Sequence, residues 1–139
     1  MAVPWEDVQR LLKQTKTIAV VGLSDKPDRD SYQIAAYLQQ QGYRIIPVNP
    51  RATEVLGEKA YPSLRDVPEP VDVVDIFRRS EDVPPIVADA IAIGAKAVWM
   101  QAGIVNEEAA ASAKAAGLTV IMDACMRSAH RTLKAAGRM

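Results

Sequence analysis

The chain has little of what would place it outside the ordinary globular world. Cysteine occurs once, at Cys125, so an intramolecular disulfide is excluded and a reducing, cytoplasmic setting is expected. With one histidine and one cysteine, a structural zinc site within the chain has too few ligands. Charge of neither sign prevails: 17 Lys and Arg balance 17 Asp and Glu. No basic cluster marks duplex nucleic acid or an anionic membrane as a partner. No apolar run approaches the ~20 residues that span a bilayer. The start, Met1-Ala2-Val3-Pro4-Trp5-Glu6-Asp7, lacks a cationic segment followed by a long apolar core, so no signal peptide is expected.

What is present suits a packed domain. The 139 residues are 49% hydrophobic and 24% charged, within the usual range for soluble proteins. One domain spanning residues 1–139 is expected, large enough to bury roughly two-thirds of its unfolded surface. Strands and helices alternate along it. Trp5, Val8, Leu11 and Leu12 share one face of an opening helix. Thr17–Val21 is a continuous apolar run of strand length, as for a strand covered on both faces. A helix should open near Ser31, with Asp30 as cap and Gln33 reaching back, and stop at Gly42. Tyr43–Val48 is the second strand and Lys59–Tyr61 a short third. Ser63–Val67 forms one helical turn, and Val71–Phe77 is the fourth strand. A helix to Ala92, a fifth strand at Lys96–Met100, a helix capped by Asn106, a sixth strand at Thr119–Met122 and a helix from Cys125 to Ala136 complete the series. Right-handed crossovers then give a doubly wound parallel sheet in three α/β/α layers. The expected order is 3-2-1-4-5-6, with a ligand crevice at the switch point between the first and fourth strands.

The loop after the first strand, Gly22-Leu23-Ser24-Asp25-Lys26-Pro27-Asp28-Arg29-Asp30-Ser31, has the strand–turn–helix form that offers backbone N–H groups to a phosphate. It holds one glycine where the dinucleotide fingerprint needs three. The second strand ends in Pro47-Val48-Asn49-Pro50-Arg51, with no acid to grip a ribose diol. Arg51 can instead offer a guanidinium fork to a ribose phosphate, or simply be a solvated arginine. Val48 and Pro50 either wall a base or end the strand. Phe77 either packs on a nucleotide or enters the core. Of Arg78 and Arg79, which leave a strand in opposite directions, Arg78 is preferred as the ligand-facing one. Asp72, Asp75, Glu81 and Asp82 read as mostly solvated or capping.

Six motifs in order resemble the stand-alone CoA-binding domain family, related to the N-terminal domain of the succinate–CoA ligase alpha subunit. They are Gly22-x-Ser24-x-x-Pro27-x-x-x-Ser31, Pro47-Val48-Asn49-Pro50-Arg51, Leu56-Gly57-x-x-Ala60-Tyr61-x-Ser63-Leu64, Asp75-Ile76-Phe77-Arg78-Arg79, Trp99-Met100-Gln101-x-Gly103 and Asp123-x-Cys125. The resemblance runs from about residue 14 to 131. It implies a Rossmann-type domain holding coenzyme A across the carboxyl edge of the sheet. By position, Gly22, Ser24 and Ser31 would hold the pyrophosphate, with Lys26 and Pro27 in the same loop. Val48, Asn49, Pro50 and Arg51 would flank the adenosine and its 3′-phosphate, beside Phe77 and Arg78. Gln101, Gly103 and Ile104 would border the pantetheine arm, although Gly103 also suits a plain turn. The ligase's phosphorylated histidine belongs to a later domain, so acyl-CoA synthesis by this chain alone is not expected.

Cys125 and His130 lie five positions apart with no evident orienting carboxylate. Cys125 reads as a small packed residue, or as a thiol near the thiol end of the ligand. The function expected is a cytoplasmic coenzyme A or acyl-CoA binder, not an enzyme, monomeric or weakly dimeric. The alternatives are an NADP-dependent enzyme and a nucleotide-binding subunit of a larger acyl-CoA-handling complex.

Overall fold

A computed structural model describes residues 3–139. Helix α1 (Trp5–Gln14) leads into β1 (Thr17–Val21), and α2 (Asp30–Gln40) crosses over to β2 (Arg44–Val48). A hairpin of β3 (Glu54–Val55) and β4 (Glu58–Lys59) follows, then a 3-10 turn at Leu64–Asp66 and β5 (Val73–Ile76). The chain continues through α3 (Val83–Ala92), β6 (Ala97–Met100), α4 (Glu107–Ala115), β7 (Thr119–Ile121) and α5 (Met126–Ala135). The main sheet is parallel, five strands in the order β2-β1-β5-β6-β7. The fold is α/β and Rossmann-like, with the switch point between β1 and β5.

Alternation along the strands divides the core. Ile18, Val20, Ile45, Val73 and Trp99 turn toward α1, α2 and α5, where they meet Val8, Leu12, Ile34, Leu38, Met126 and Leu133. Ala19, Val21, Ile46, Val74, Val98 and Met100 turn the other way, onto Val83, Val87, Ala90, Ala109, Ala110 and Ala113 of α3 and α4. Small residues on those two helices let them lie close to the sheet. Burying both faces explains why the strand sequences are continuously apolar rather than alternating.

Two expectations are corrected here. The third strand is not a strand of the sheet: only Tyr61 touches it, through one parallel bridge to Val48, with Tyr61 N–H on Pro47 O at 3.0 Å and Asn49 N–H on Tyr61 O at 2.9 Å. The preceding residues fold back as the β3–β4 hairpin, turned by Leu56 at φ 55° and Gly57 at φ 77°. Arg44 ties the hairpin region down through Glu58 at 2.8 Å and Glu69 at 2.7 Å. The capping box at Asp30 also does not form. Asp30 is the first helical residue, Arg29 holds the cap position without a side-chain bond, and Gln33 Nε2 donates to Pro27 O instead. The Asn106 cap is as expected, its Oδ1 accepting from Ala109 N–H at 2.9 Å. The two ends of the chain meet where Gln9 Nε2 donates to Arg138 O at 2.9 Å and the Arg138 guanidinium donates to Gln9 Oε1.

Candidate functional site

Gly22 is the pivot of the carboxyl edge. Its φ of +87° lies in the region that side chains avoid. A Cβ there would stand 2.3 Å from the Phe77 carbonyl oxygen. The exits of β1 and β5 therefore approach as closely as only glycine permits. Behind Gly22 the loop is closed by its own hydroxyls. Ser31 Oγ accepts from Ser24 N–H at 3.0 Å, and Ser24 Oγ accepts from Lys26 N–H at 3.1 Å. Both hydroxyls spend acceptor capacity internally, and the hydroxyl protons remain available to an anion. α2 begins beside them without a side-chain cap, so its first amides add to the same positive region.

From the other side Asn49 braces the loop. Its Nδ2 donates to Leu23 O at 2.9 Å, and its Oδ1 accepts from Arg51 N–H at 2.9 Å. Asn49 thus fixes the end of β2 against the glycine loop and turns Arg51 outward. Arg51 and Arg78 make no ion pair among the described residues, whereas Arg79 is engaged by Asp82 at 3.0 Å and by Glu81 at 3.6 Å. The pair of arginines is divided as strand geometry dictates, with Arg78 over the crevice, its Nε 3.4 Å from where a Gly22 Cβ would stand.

These groups surround one cleft of about 1040 Å³ that brings together Gly22, Ser24, Lys26, Ser31, Asn49, Pro50, Arg51, Phe77 and Arg78. Asp25, Asp28 and Asp30 share its rim with Arg29, so the cleft is not purely cationic. Adjoining it through Pro50 and Arg78 is a slot of about 340 Å³, walled by Val21, Val48, Pro62, Leu64 and Ile86, with Ser63, Asp82 and Asp89 also in its lining. A third recess of about 570 Å³ leads past Phe77 and Arg78 to Ile104. Phe77 lines the cleft with one part of its surface and packs against the core with another. Pro27 is exposed and takes the Gln33 amide on its carbonyl. Pro62, Leu64 and Ile86 were not singled out as site residues, since neither a turn nor a helix face announces what it will be folded against.

Gln101 is turned the other way. It is buried, its Nε2 donating to Asp75 Oδ1 at 2.6 Å and its Oε1 accepting from Met126 N–H at 3.3 Å. The expected contact of its amide with a pantetheine arm is therefore replaced by an internal one. Asp75 is corrected with it: this carboxyl is completely buried, neither solvated nor capping. Burial pushes it up to about 7 against the opposing pull of the Gln101 amide. Asp72 does cap, its Oδ2 accepting from Lys16 and Thr17 N–H. Gly103 sits at φ +83° with open space around it, its N–H held by Asp123 Oδ1 at 2.7 Å. Nothing near it requires the absence of a side chain, so its conformation accounts for it.

Cys125 and His130 do not form a catalytic pair with a carboxylate. His130 is buried with Nδ1 2.7 Å from Tyr37 Oη, ringed edge-on by Tyr37 and Tyr43. Burial, and then Lys134, hold its pKa below the ordinary value. Cys125 is half-buried at the start of α5. Among the described residues no group of three or more His, Cys, Asp or Glu is placed to hold a metal, and no helix is long and apolar enough to cross a membrane.

The geometry matches known proteins over nearly its whole extent. An uncharacterized protein of Bacillus subtilis, YneT, is 46% identical over 128 residues, covering 92% of this chain and 95% of that protein. A solved structure of a hypothetical protein from Pyrococcus horikoshii superposes with a TM-score of 0.92 at 41% identity, covering 96% of this chain and 94% of that one. An ADP-forming acetate–CoA ligase of Archaeoglobus fulgidus is 36% identical over 95 residues. That match takes in 66% of this chain but only 14% of the ligase. The model of the CoA binding domain matches residues 16–131, and the chain belongs to that family.

Proposed function

We propose that this protein binds coenzyme A, free or acylated, across the crevice centred on Gly22. The observation that carries the proposal is the pair Arg51 and Arg78. Neither makes an ion pair among the described residues, both line the cleft of the Gly22–Ser31 loop, and β2 ends without a carboxylate. A nicotinamide dinucleotide with a free ribose diol wants an acid at that point; a ribose phosphate wants a fork of donors. The pyrophosphate would lie against Ser24, Ser31 and the uncapped start of α2, with Lys26 nearby. The base would enter the slot between Val48, Pro50 and Leu64, and the 3′-phosphate would meet Arg51. The pantetheine arm would run past Phe77 toward Gly103 and Ile104. Membership of the CoA binding domain family supports the same ligand.

The protein is read as a cytoplasmic binder, monomeric or weakly dimeric, rather than a catalyst. The support is chemical: His130 is packed between tyrosines, its Nδ1 on Tyr37 Oη. Isothermal titration with coenzyme A, dephospho-coenzyme A and NADP tests it. Coenzyme A should bind most tightly, with the dephospho compound weaker by tenfold or more, the worth of one charge-assisted fork. Tighter binding of NADP would transfer the crevice to a different class of ligand.

A further inference from the structure

Asp75 is the polar side chain that the crevice does not use, and its position is unusual. It belongs to β5, between Val20 of β1 and Trp99 of β6. Its Oδ1 is held by Gln101, but its Oδ2 is buried with no hydrogen-bond partner. Gln101 in turn holds Met126 N–H at the start of α5. Gly22 lies two residues beyond Val20 on β1, so the carboxyl stands roughly 7 Å of strand rise beneath the glycine loop. A single charge this deep, with one neutral donor and an orphaned oxygen, is costly.

We propose that Asp75 is a positioning residue that couples ligand binding to a proton: its carboxyl holds a proton when the phosphates occupy the Gly22 loop, and its ionisation weakens their hold. This rests on the crevice being the coenzyme A site. The carboxyl already ionises near neutrality, since burial pushes it up to about 7. Phosphates docked above it add negative charge and oppose its ionisation further. By linkage, the protonated protein binds the anion more tightly by the same factor. With the phosphates beyond the glycine loop, at roughly 10 Å and an effective dielectric of ~40 beside the solvent-filled cleft, that factor is about three- to tenfold. Gln101 Nε2 donates to the carboxyl in either state and favours its ionised form, so the tie from Asp75 through Gln101 to the first turn of α5 persists in both.

The neighbours leave Asp75 as the group to watch. β1 and β6 present Val20, Trp99 and Gln101 to it, none ionisable. From α5 the ionisable groups on that side of the sheet are Cys125, Arg127, whose Nε is buried beside Met126, His130, Arg131 over the Tyr37 ring and Lys134; from α2 they are Tyr32 and Tyr37, and from β2's approach Tyr43. Arg78 lies above, at the cleft.

Coenzyme A binding to the full chain should be measured by calorimetry between pH 6 and 8.5, in buffers of differing ionisation heat. Wild type is expected to take up a fraction of a proton near pH 7 and to lose about three- to tenfold in affinity as the pH rises. Asp75→Asn should bind without that uptake, with a flattened profile, while His130→Gln keeps both. The ligand's own phosphate monoester titrates near pH 6 and is common to all variants; dephospho-coenzyme A removes it. Equal proton counts in wild type and Asp75→Asn, with binding retained, would overturn the proposal and leave the crevice reading standing. No binding of coenzyme A by wild type at millimolar ligand would sink both. If Asp75→Asn does not fold, carbon-13 spectra of carboxyl-labelled wild type decide. The Asp75 midpoint must rise on adding coenzyme A, and an unmoved midpoint overturns the coupling.

Discussion

Where β1, β2 and β5 end, α2 starts without a side-chain cap and Arg51 and Arg78 carry charges that no carboxylate meets. Where β6 and β7 end, the amides of Gly103, Val105, Ala109 and Met126 already rest on Asp123, Ser80, Asn106 and Gln101. The two halves of one edge thus use their polar groups differently. The first satisfies its loop amides at Ser24, Lys26 and Arg51 internally but leaves the start of α2 and two guanidinium groups without side-chain partners among the described residues; the second satisfies its amides throughout and gains rigidity. Under the proposed function the ligand would meet the donors that the first half leaves open, and the second half would hold the crevice in shape.

The contrast can be broken hardest at Gly22. Replacing it by alanine forces a positive φ on a side chain and drives its Cβ into the Phe77 carbonyl, so roughly 2 kcal/mol or more of stability should be lost. Coenzyme A binding should vanish with it; chemical denaturation and calorimetry check the two. Removing free charge comes next. Arg78→Ala and Arg51→Ala should each weaken binding by tenfold or more with the fold intact, while Arg79→Ala, already committed to Asp82, should leave affinity unchanged. An equal loss in all three would erase the distinction between facing and averted arginines.

On the finished half the effects should be smaller and of the other kind. Asn106→Ala removes the cap of α4 and should cost about 1 kcal/mol of stability without altering affinity, as read by paired melting and binding curves. The smallest effect is expected on the α2–α5 seam. His130 has a lowered pKa when folded, so below about 7 the unfolded chain takes up a proton that the folded chain refuses. Asp75, raised to about 7 by burial, acts in the opposite sense over the same range, so the His130 contribution is read as a difference: as pH falls from about 7 toward 5, wild type should lose stability relative to His130→Gln. A difference in melting temperature between the two that does not change over that range would count against a buried neutral imidazole.

The layers were legible because burial on both faces leaves a plain mark: Thr17–Val21 reads as an apolar run and the glycine after it marks the turn, while Val71–Phe77 reads as a strand set off by Pro68 and Pro70. The corrected parts all depend on something the local pattern does not carry. The hairpin before Tyr61 turns on Leu56 at positive φ, a conformation leucine rarely adopts, so the region read as a short strand. Asp30 looked like a cap because acids favour that place, but Ser31 had its hydroxyl on Ser24 N–H and Gln33 was drawn to Pro27. Asp75 looked solvated because carboxylates usually are; its partner Gln101 stands 26 positions away and only the sheet brings them together. Gln101 was misassigned for the same reason. Strand alternation separates Arg78 from Arg79 at the Gly22 cleft, which Arg78 alone of the two lines, but both line the recess past Phe77.

The clasp between Gln9 and Arg138 has a practical corollary. It joins the middle of α1 to the residues just past α5, and α5, which starts beside the carboxyl end of β7, runs away from the crevice. A fluorophore or affinity handle appended after Met139 would therefore stand clear of the crevice for the titrations above.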